Sequence, residues 1–495
     1  MNKRVLILCL LLIGVSHSQE ISGKEVSGKE ISEREVSLQE VEQRVAQFES
    51  SDYMEPAEKR SLLPILLNHL EQIELLEPEN HFYYAVDLYE QQKYEQAYPH
   101  FYYLANLGYS APQWYLGYMN NVGLGVTENQ SEALYWYLLA AERGDEAAQR
   151  NIGFMFRDGE GVAVDIEEAI YWLSQASFAG DAEAQFHLGY IYDVGEGVDE
   201  DNFKAIELYK MAARDDHADA TYYLGLSYRD VDGVEEDMQE ALNYFLKAAE
   251  LGHAGAMNDL GYAYLNGIGV GMNFKRAHYW FLESEKAGNV VANYNLGWMY
   301  QNGQGVKQNE QKALQYFLVA AKHDDPDSQY EAGWHYEEGL GTKQNIRQAI
   351  YWYEQAVNNN HIQAMNRLAY LYMNNADWQK PEKAILLWLQ AADTNDLTAQ
   401  YNLALMYEKG RGVVKDLERS FYWYLKAAEN QDGESQYKVA LLYLNGIGVQ
   451  EDIQKYRYWL KQAADNNYEI AINEWEGLEL NPQMSSKGSP SSGSH

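Results

Sequence analysis

Basic residues are scarce in this sequence. It has 38 Lys and Arg against 74 Asp and Glu among 495 residues, which gives a formal net charge of -36. A chain this acidic is repelled by nucleic-acid phosphates and anionic lipid surfaces, and it attracts basic protein segments. We therefore expect no nucleic-acid partner, and we expect a charged protein partner to be basic.

Long apolar stretches are also missing, except at the N-terminus. Residues 5–15 form an apolar run that follows Lys3 and Arg4 and precedes a Ser-His-Ser segment, a pattern typical of a secretory signal. We interpret residues 1–18 as a cleaved signal peptide and expect an exported protein, periplasmic or secreted. No later stretch approaches the roughly 20 apolar residues of a membrane helix, so we expect no integral membrane segment after cleavage.

Residues for catalysis or metal binding are sparse. The single cysteine, Cys9, lies inside the apolar N-terminal run, so the mature chain has no disulfide, thiolate metal site or cysteine nucleophile. The 12 histidines are scattered singly and form no HExxH motif. We therefore predict that the protein is not an enzyme and carries no cofactor and no metal.

A repeat of 36 residues dominates the rest of the chain. Its marker is a small residue that recurs at Gly117, Gly153, Gly189, Gly225, Gly261, Gly297, Gly333, Ala369, Ala404 and Ala440, with one step of 35. In eight copies a glycine pair follows six and eight residues later, as in Gly303 and Gly305. A phosphate loop occurs once and follows a strand, whereas this pair recurs after a helical pattern. The pair is therefore interpreted as a structural corner.

Each repeat contains two predicted helices. The first carries the marker, and a glycine there costs about 1 kcal/mol, so its repetition indicates that a neighbouring helix approaches closely. The second begins twelve residues after the marker at a capping Asp or Asn, and in the short copy at Lys380 followed by Pro381. Its predicted terminators, which tolerate a left-handed backbone, are Gly144, Gly180, Gly252, Gly288, Asn360, Asn395 and Asn467. We expect the short copy, which lacks both corner glycines, to interrupt the array near residues 373–384.

The segments outside the array have other patterns. Residues 19–52 form a low-complexity spacer and a weak helix, and residues 53–110 form N-terminal capping helices with a tetratricopeptide-like unit. The array itself covers residues 111–467. Residues 468–481 are predicted to form a C-terminal capping helix, and residues 482–495 a disordered tail.

The pattern LGxxYxxGxGV, followed by WY and AA, closely resembles the Sel-one-like repeat (SLR) family, whose repeats are related to tetratricopeptide repeats. The resemblance implies an all-α fold, a right-handed superhelical α-solenoid of about ten 36-residue helix-turn-helix repeats. It also implies a non-enzymatic scaffold that binds protein or peptide partners in its concave groove, and for exported bacterial members a role in cell-envelope assembly.

Aromatic residues are abundant, at 14% of the chain. They recur three residues before the marker and one after it, on adjacent turns of the first helix. The predicted partner-binding residues at these positions are Trp114, Tyr118, Phe186, Tyr190, Tyr294, Trp298, Tyr330 and Trp334. Such rings anchor protein interfaces and also stack on sugars, so a glycan-binding module of polysaccharide or peptidoglycan assembly is an alternative. Packing between helices is the structural alternative, and an envelope hydrolase is a third function that no group of residues favours.

Overall fold

The computed structural model describes residues 78–230 and 237–480, and these ranges contain 23 α-helices, one short 3-10 helix and no β-strand. The chain divides into two compact units, residues 1–251 and 252–495. Unit 1 contains α1 (Pro78–Glu90), α2 (Tyr94–Asn106), α3 (Ser110–Val122), α4 (Gln130–Ala141), α5 (Glu146–Asp158), α6 (Ile166–Ala179), α7 (Ala182–Val194), α8 (Asn202–Arg214), α9 (Ala218–Asp230) and α10 (Met238–Glu250). Unit 2 contains α11 (Ala254–Asn266), α12 (Phe274–Lys286), α13 (Val291–Asn302), α14 (Glu310–Ala321), α15 (Pro326–Glu338), α16 (Ile346–Asn358), α17 (Ile362–Asn374), α18 (Pro381–Asp393), α19 (Leu397–Lys409), α20 (Leu417–Glu429), α21 (Gly433–Asn445), α22 (Ile453–Asp465) and α23 (Glu469–Leu480).

Each unit is an α-solenoid in which helices pack in the order of the chain. From α3 onward the odd-numbered helix of each pair is the first helix of a repeat and carries the small marker, and the even-numbered helix is the second. The predicted all-α repeat fold is confirmed. Residues 1–77, which include the predicted signal peptide, the spacer and part of the N-terminal cap, lie outside the described residues, as do residues 481–495.

The marker glycines are explained by rings from the second helix. A Cβ atom added to Gly297 would lie 2.5 Å from the ring of Phe317, and one added to Gly333 would lie 2.6 Å from the ring of Tyr353. Both rings are fully buried. The close approach predicted from the marker is therefore confirmed, and it is made by a ring that packs directly over the glycine.

The corner glycines adopt the left-handed backbone that the sequence predicts. Gly159 ends α5 with φ 76°, and Gly161 has φ 70°. A Cβ atom at Gly161 would also lie 2.6 Å from the carbonyl carbon of Gln130, at the start of the second helix of the preceding repeat. In unit 2, Gly305 approaches Phe274 and Gly341 approaches Glu310 in the same way. The second glycine of each pair thus joins one repeat to the one before it.

The predicted helix ends are confirmed. Side chains cap the second helices at Asn129, Asp165, Asp201, Asp237, Asn273, Asn309, Asn345, Asp416 and Asp452. Lys380 makes no side-chain cap, and Pro381 occupies the first turn that follows it. All seven predicted terminators have positive φ. Side-chain acceptors bond the free amides of a first turn, and a left-handed residue ends the last turn.

The short copy is structured differently from the other corners but does not interrupt the core. Asn375 has φ -87°, and a 3-10 helix, Ala376–Trp378, replaces the glycine corner. One hydrophobic cluster nevertheless runs from Ala349 to Tyr407, on both sides of this segment. The hydrophobic core is therefore continuous across the short copy, and a division of the array there into two cooperative blocks stays a prediction.

Candidate binding surface

The eight predicted binding residues all lie on first helices, at two positions. Trp114, Phe186, Tyr294 and Tyr330 precede the marker by three residues, and Tyr118, Tyr190, Trp298 and Trp334 follow it by one. Side chains one turn apart on a helix share a face, but they differ in how far they project from it. The two positions have different surroundings in the structure.

The earlier position packs between repeats. Phe186 is only 9% exposed and stacks on His217, with ring centroids 4.9 Å apart at 29°. Tyr330 stacks on His361 in the same way, at 5.0 Å and 20°. Each histidine immediately precedes the first helix of the following repeat and caps it, because its Nδ1 atom accepts a hydrogen bond from a first-turn amide. The aromatic ring therefore contributes to the contact between neighbouring repeats.

Sequence reasoning missed these histidine caps. Five other first helices are capped by Asp145, Asp181, Asp325, Asp396 and Asp432, and His217, His253 and His361 stand at the same place in the repeat. The 36-residue spacing of the aspartates was the signal that could have identified them. With Nδ1 as the acceptor, the Nε2 proton is free to bond outward, and His361 donates to Asp327 at 3.1 Å.

The first predicted pair lies against the core of unit 1. Trp114 and Tyr118 stack in parallel, with centroids 5.6 Å apart at 7°. Both pack against the cluster that contains Tyr137 and Ile152. Their rings therefore help to cover the first complete repeat.

The later position forms a more exposed set in unit 2. Trp298 and Trp334 are half-buried, and the corresponding residues of the two flanking first helices, Tyr262 and Tyr370, are 51% and 52% exposed. We call these four residues the aromatic row. Large rings that remain partly in solvent at one position of four successive first helices form a surface suited to a partner.

The structure also shows a cation on this row. The Arg367 guanidinium lies 4.6 Å from the ring centroid of Trp334 and 5.8 Å from that of Tyr370. Its Nε donates to Glu337 at 2.8 Å and its Nη2 donates to Glu338 at 3.0 Å. Held in this way, Arg367 occupies one side of the Trp334 ring, which leaves less of that ring for stacking on a ligand.

In unit 1, Phe186 and Tyr190 border an open cleft of about 570 Å³. The other lining residues are Arg157, His187, Val194, Glu196 and Tyr223. Arg157 is held against His187 at 3.2 Å and forms two hydrogen bonds to Asp158. The cleft thus combines exposed apolar area with one fixed positive charge.

Two histidines meet one carboxylate beside this cleft. Glu183 accepts hydrogen bonds from the Nε2 atoms of His187 and His217, both at 3.1 Å. Burial acts to raise the pKa of Glu183, but the two imidazoles outweigh it and hold the pKa below its usual range. Burial lowers the pKa of His187 despite the opposing charge of Glu183. Because its members bond one another, this cluster serves to join repeats.

A second set of exposed tyrosines was not predicted. Tyr279, Tyr351, Tyr422 and Tyr458 are about half exposed at one position of the second helices of unit 2. Each lies beside the tryptophan that follows it, with centroids 5.0 or 5.1 Å apart. The signal is the tyrosine immediately before the tryptophan. Tyr351 is exposed, whereas the WY dipeptide that follows it, Trp352 and Tyr353, lies on the buried stripe of the helix.

Residues 78–230 and 237–480 contain no group of three or more His, Cys, Asp or Glu side chains that could hold a metal ion. No helix in the same ranges is long and apolar enough to cross a bilayer.

Comparison with known proteins identifies relatives of the repeat. The chain is similar to c5321, a protective antigen of uropathogenic Escherichia coli strains whose crystal structure displays an SLR fold. The two share 27% identity with a TM-score of 0.69 over 84% of this chain and 90% of that one. A Sel1 repeat protein from Oxalobacter formigenes is 34% identical over 49% of this chain and 99% of its own, with a TM-score of 0.47. Comparison with the curated proteins gave no match.

The Sel1 repeat family matches ten consecutive segments of the sequence. They are residues 113–145, 146–181, 182–217, 218–253, 254–289, 290–325, 326–361, 362–396, 397–432 and 433–468. From the second segment onward, each begins within one residue of the start of a first helix, so one segment corresponds to one helix pair. This protein belongs to the Sel1 repeat family.

Proposed function

We propose that the protein is a non-enzymatic scaffold that binds a basic segment of another protein along the aromatic row of unit 2. Solenoids of this family are typical protein-interaction scaffolds. The observation that carries the proposal is the row itself, Tyr262, Trp298, Trp334 and Tyr370. Four successive first helices hold a large ring at the same position, and the two terminal rings are more than half exposed. Extended segments bind such rows because each repeat offers an equivalent contact.

Charge supports a basic partner. The carboxylates beside the row include Asp327, Glu331, Glu337 and Glu338, while Arg367 is already bonded to the last two. Complementary charge steers encounter and selects among partners. A basic segment with aromatic or aliphatic side chains fits both the rings and the carboxylates.

Two variants test the proposal. The full chain serves to isolate a binding protein from an envelope extract, and the purified partner is then titrated against Trp298→Ala/Trp334→Ala. The control is Tyr351→Ala/Tyr422→Ala, which removes two exposed rings from the second helices of the same unit. We expect the first variant to retain its helix content and to lose about 2 kcal/mol of binding free energy per hot spot, while the control binds normally.

Other outcomes separate the alternatives. Lower stability of the tryptophan variant with unchanged affinity assigns these rings to packing. Loss of binding in the control alone moves the site to the second helices. A ligand that proves to be a glycan, with no protein bound, supports the sugar-stacking alternative.

We propose further that the protein is exported and acts in assembly at the cell envelope. The apolar run after Lys3 and Arg4 supports this location. Cell fractionation combined with N-terminal sequencing of the mature protein tests it. An N-terminus near Gln19 in an envelope or secreted fraction is expected, and an intact Met1 in the cytoplasm contradicts it.

A further inference from the structure

Glu331 is a largely buried carboxylate on the side of unit 2 that the first helices form. It lies on α15 and is 9% exposed. It precedes the marker Gly333 by two residues, a position that His187 and Tyr223 occupy in unit 1, where both line the open cleft. Because equivalent positions of a repeat face the same way, Glu331 is directed toward the binding surface.

The Glu331 side chain has no hydrogen bond and no ion pair among the described residues, whereas its neighbours are bonded. Asp327 accepts from His361 at 3.1 Å, and Glu337 accepts from Arg367 and from the Tyr353 hydroxyl, both at 2.8 Å. A buried polar group is normally paired, since an unpaired amide or hydroxyl costs roughly 2 to 7 kcal/mol and an unpaired ionised carboxylate costs more. Glu331 therefore lacks a partner that its surroundings would favour.

Two tyrosines on neighbouring first helices are coupled to this carboxyl group. Tyr330 immediately precedes Glu331 on α15, and Tyr294 stands at the equivalent position of α13. Burial raises the pKa of Tyr294, and the charges of Asp327 and Glu331 add to the rise. Burial raises the pKa of Tyr330 as well, with Glu331 the next cause. The acid and the two rings thus belong to the same part of the first-helix surface.

The charged and titratable groups around Glu331 come from three helices and two connections. They are Asp327 and His335 on α15, Tyr294 on α13, Arg367 on α17, and Asp325 and His361 at the two first-helix caps. Burial raises the pKa of Glu331 to about 7, with Asp327 adding to the rise. The site is thus short of positive charge, and an anion would meet Asp325 and Asp327.

We propose that Glu331, beside Tyr330 and Trp334 on α15, receives a lysine or arginine side chain of the bound segment. This inference rests on the proposed function, because the cation arrives on the same partner that covers the aromatic row. An ammonium or guanidinium group would supply the missing ion pair. A nearby cation stabilises the carboxylate form of Glu331, so binding near pH 7 releases a proton and affinity rises as the pH increases.

Short cationic peptides test this assignment. Decalysine and decaarginine are titrated calorimetrically into the full-length protein at physiological ionic strength, with fully acetylated decalysine as the uncharged probe. The variant is Glu331→Gln. The control, Glu382→Gln, removes the same charge from an exposed position in the first turn of α18. Titration in two buffers of different ionisation enthalpy measures the protons released.

We expect Glu331→Gln to weaken binding of a cationic probe by at least about tenfold, because a desolvated ion pair contributes more than a surface one. Its proton release near pH 7 disappears, while Glu382→Gln behaves as wild type in both respects. Equal weakening by the two variants, or no binding of either cationic probe, overturns the inference. Trp298→Ala/Trp334→Ala separates this failure from that of the proposed function: if it weakens binding while Glu331→Gln does not, the row is the site and Glu331 is not its cation receptor.

Discussion

The guanidinium of Arg367 lies 4.6 Å from the ring centroid of Trp334, although the two residues belong to successive first helices. The same arginine donates a hydrogen bond to Glu337, which is 7% exposed and also accepts a hydrogen bond from the Tyr353 hydroxyl. One side chain therefore joins the aromatic row to a buried carboxylate, and the row is preorganised by the repeat that follows it.

Loss of this arginine should destabilise unit 2. Arg367→Met keeps much of the apolar stem but leaves the Glu337 carboxylate buried without its cation, and we expect a cost of about 2 to 4 kcal/mol. Adding Glu337→Gln removes the unpaired charge and should restore a large part of the loss. Chemical denaturation of the single and double variants measures both effects. Additive losses in the double variant contradict a coupled pair.

The corner glycines give a direct test of backbone strain. Gly161→Val places a β-branched side chain at φ 70° and directs it at Gln130, so we expect a loss of more than about 1 kcal/mol. Gly271→Val is the matched control, because Gly271 does not have positive φ and a Cβ atom there meets nothing within 4 Å. Thermal melting should distinguish the two variants, and identical curves would remove the explanation of the corner.

Substitutions of the marker glycine and of the ring that packs over it should be energetically coupled, because the two residues share one space in the core. Gly297→Leu drives a side chain into Phe317 and should cost at least about 1 to 3 kcal/mol, and Phe317→Ala alone should cost about 3 to 5 kcal/mol. In the double variant the new leucine fills the space left by the ring. We expect the double variant to be more stable, by about 1 to 3 kcal/mol, than the sum of the two single losses predicts. Chemical denaturation of the wild type, both single variants and the double variant measures this coupling. Zero coupling would mean that the glycine is required for another reason.

The buried carboxyl group should make stability depend on pH. The folded protein holds the Glu331 proton to about pH 7, well above the usual value of 4.5, so this group lowers stability as pH rises between those values. Glu331→Gln cannot lose a proton. We therefore expect the variant and the wild type to melt alike near pH 4 and the variant to melt higher near pH 8, by the equivalent of about 1 to 3 kcal/mol. A constant difference across this range contradicts the raised pKa.

The fold could be predicted because each weak local signal recurs in about ten copies. One Asp or one glycine pair alone predicts little. Asp165 and Gly161 are informative because equivalent residues recur 36 positions away, which supports their assignment as a helix cap and a corner. The helix caps, terminators and corners all follow from single residues with short-range chemistry.

The binding surface was less predictable because it depends on contacts between repeats. Spacing placed Tyr330 and Trp334 on adjacent turns, but it could not show that His361 covers the first ring and Arg367 part of the second. Both covering residues lie about thirty positions further along the chain, and their side-chain directions are set by packing. The burial of Glu331 also depends on packing, so the sequence could not predict it. Acidic residues are common throughout the chain, and nothing in the sequence distinguishes this one.

The contact between each second corner glycine and the preceding repeat has a consequence for evolution. Gly341 meets the start of α14 as Gly305 meets the start of α12. Deletion of residues 290–325, one complete segment, would therefore bring Gly341 against Phe274. This is the contact that Gly305 already makes in the present chain. Copies are interchangeable modules at this joint, so lineages can gain or lose whole ones by recombination without inventing a new interface. We expect a chain shortened in this way to fold, whereas one shortened by only eighteen residues would lose one helix of a pair and would not.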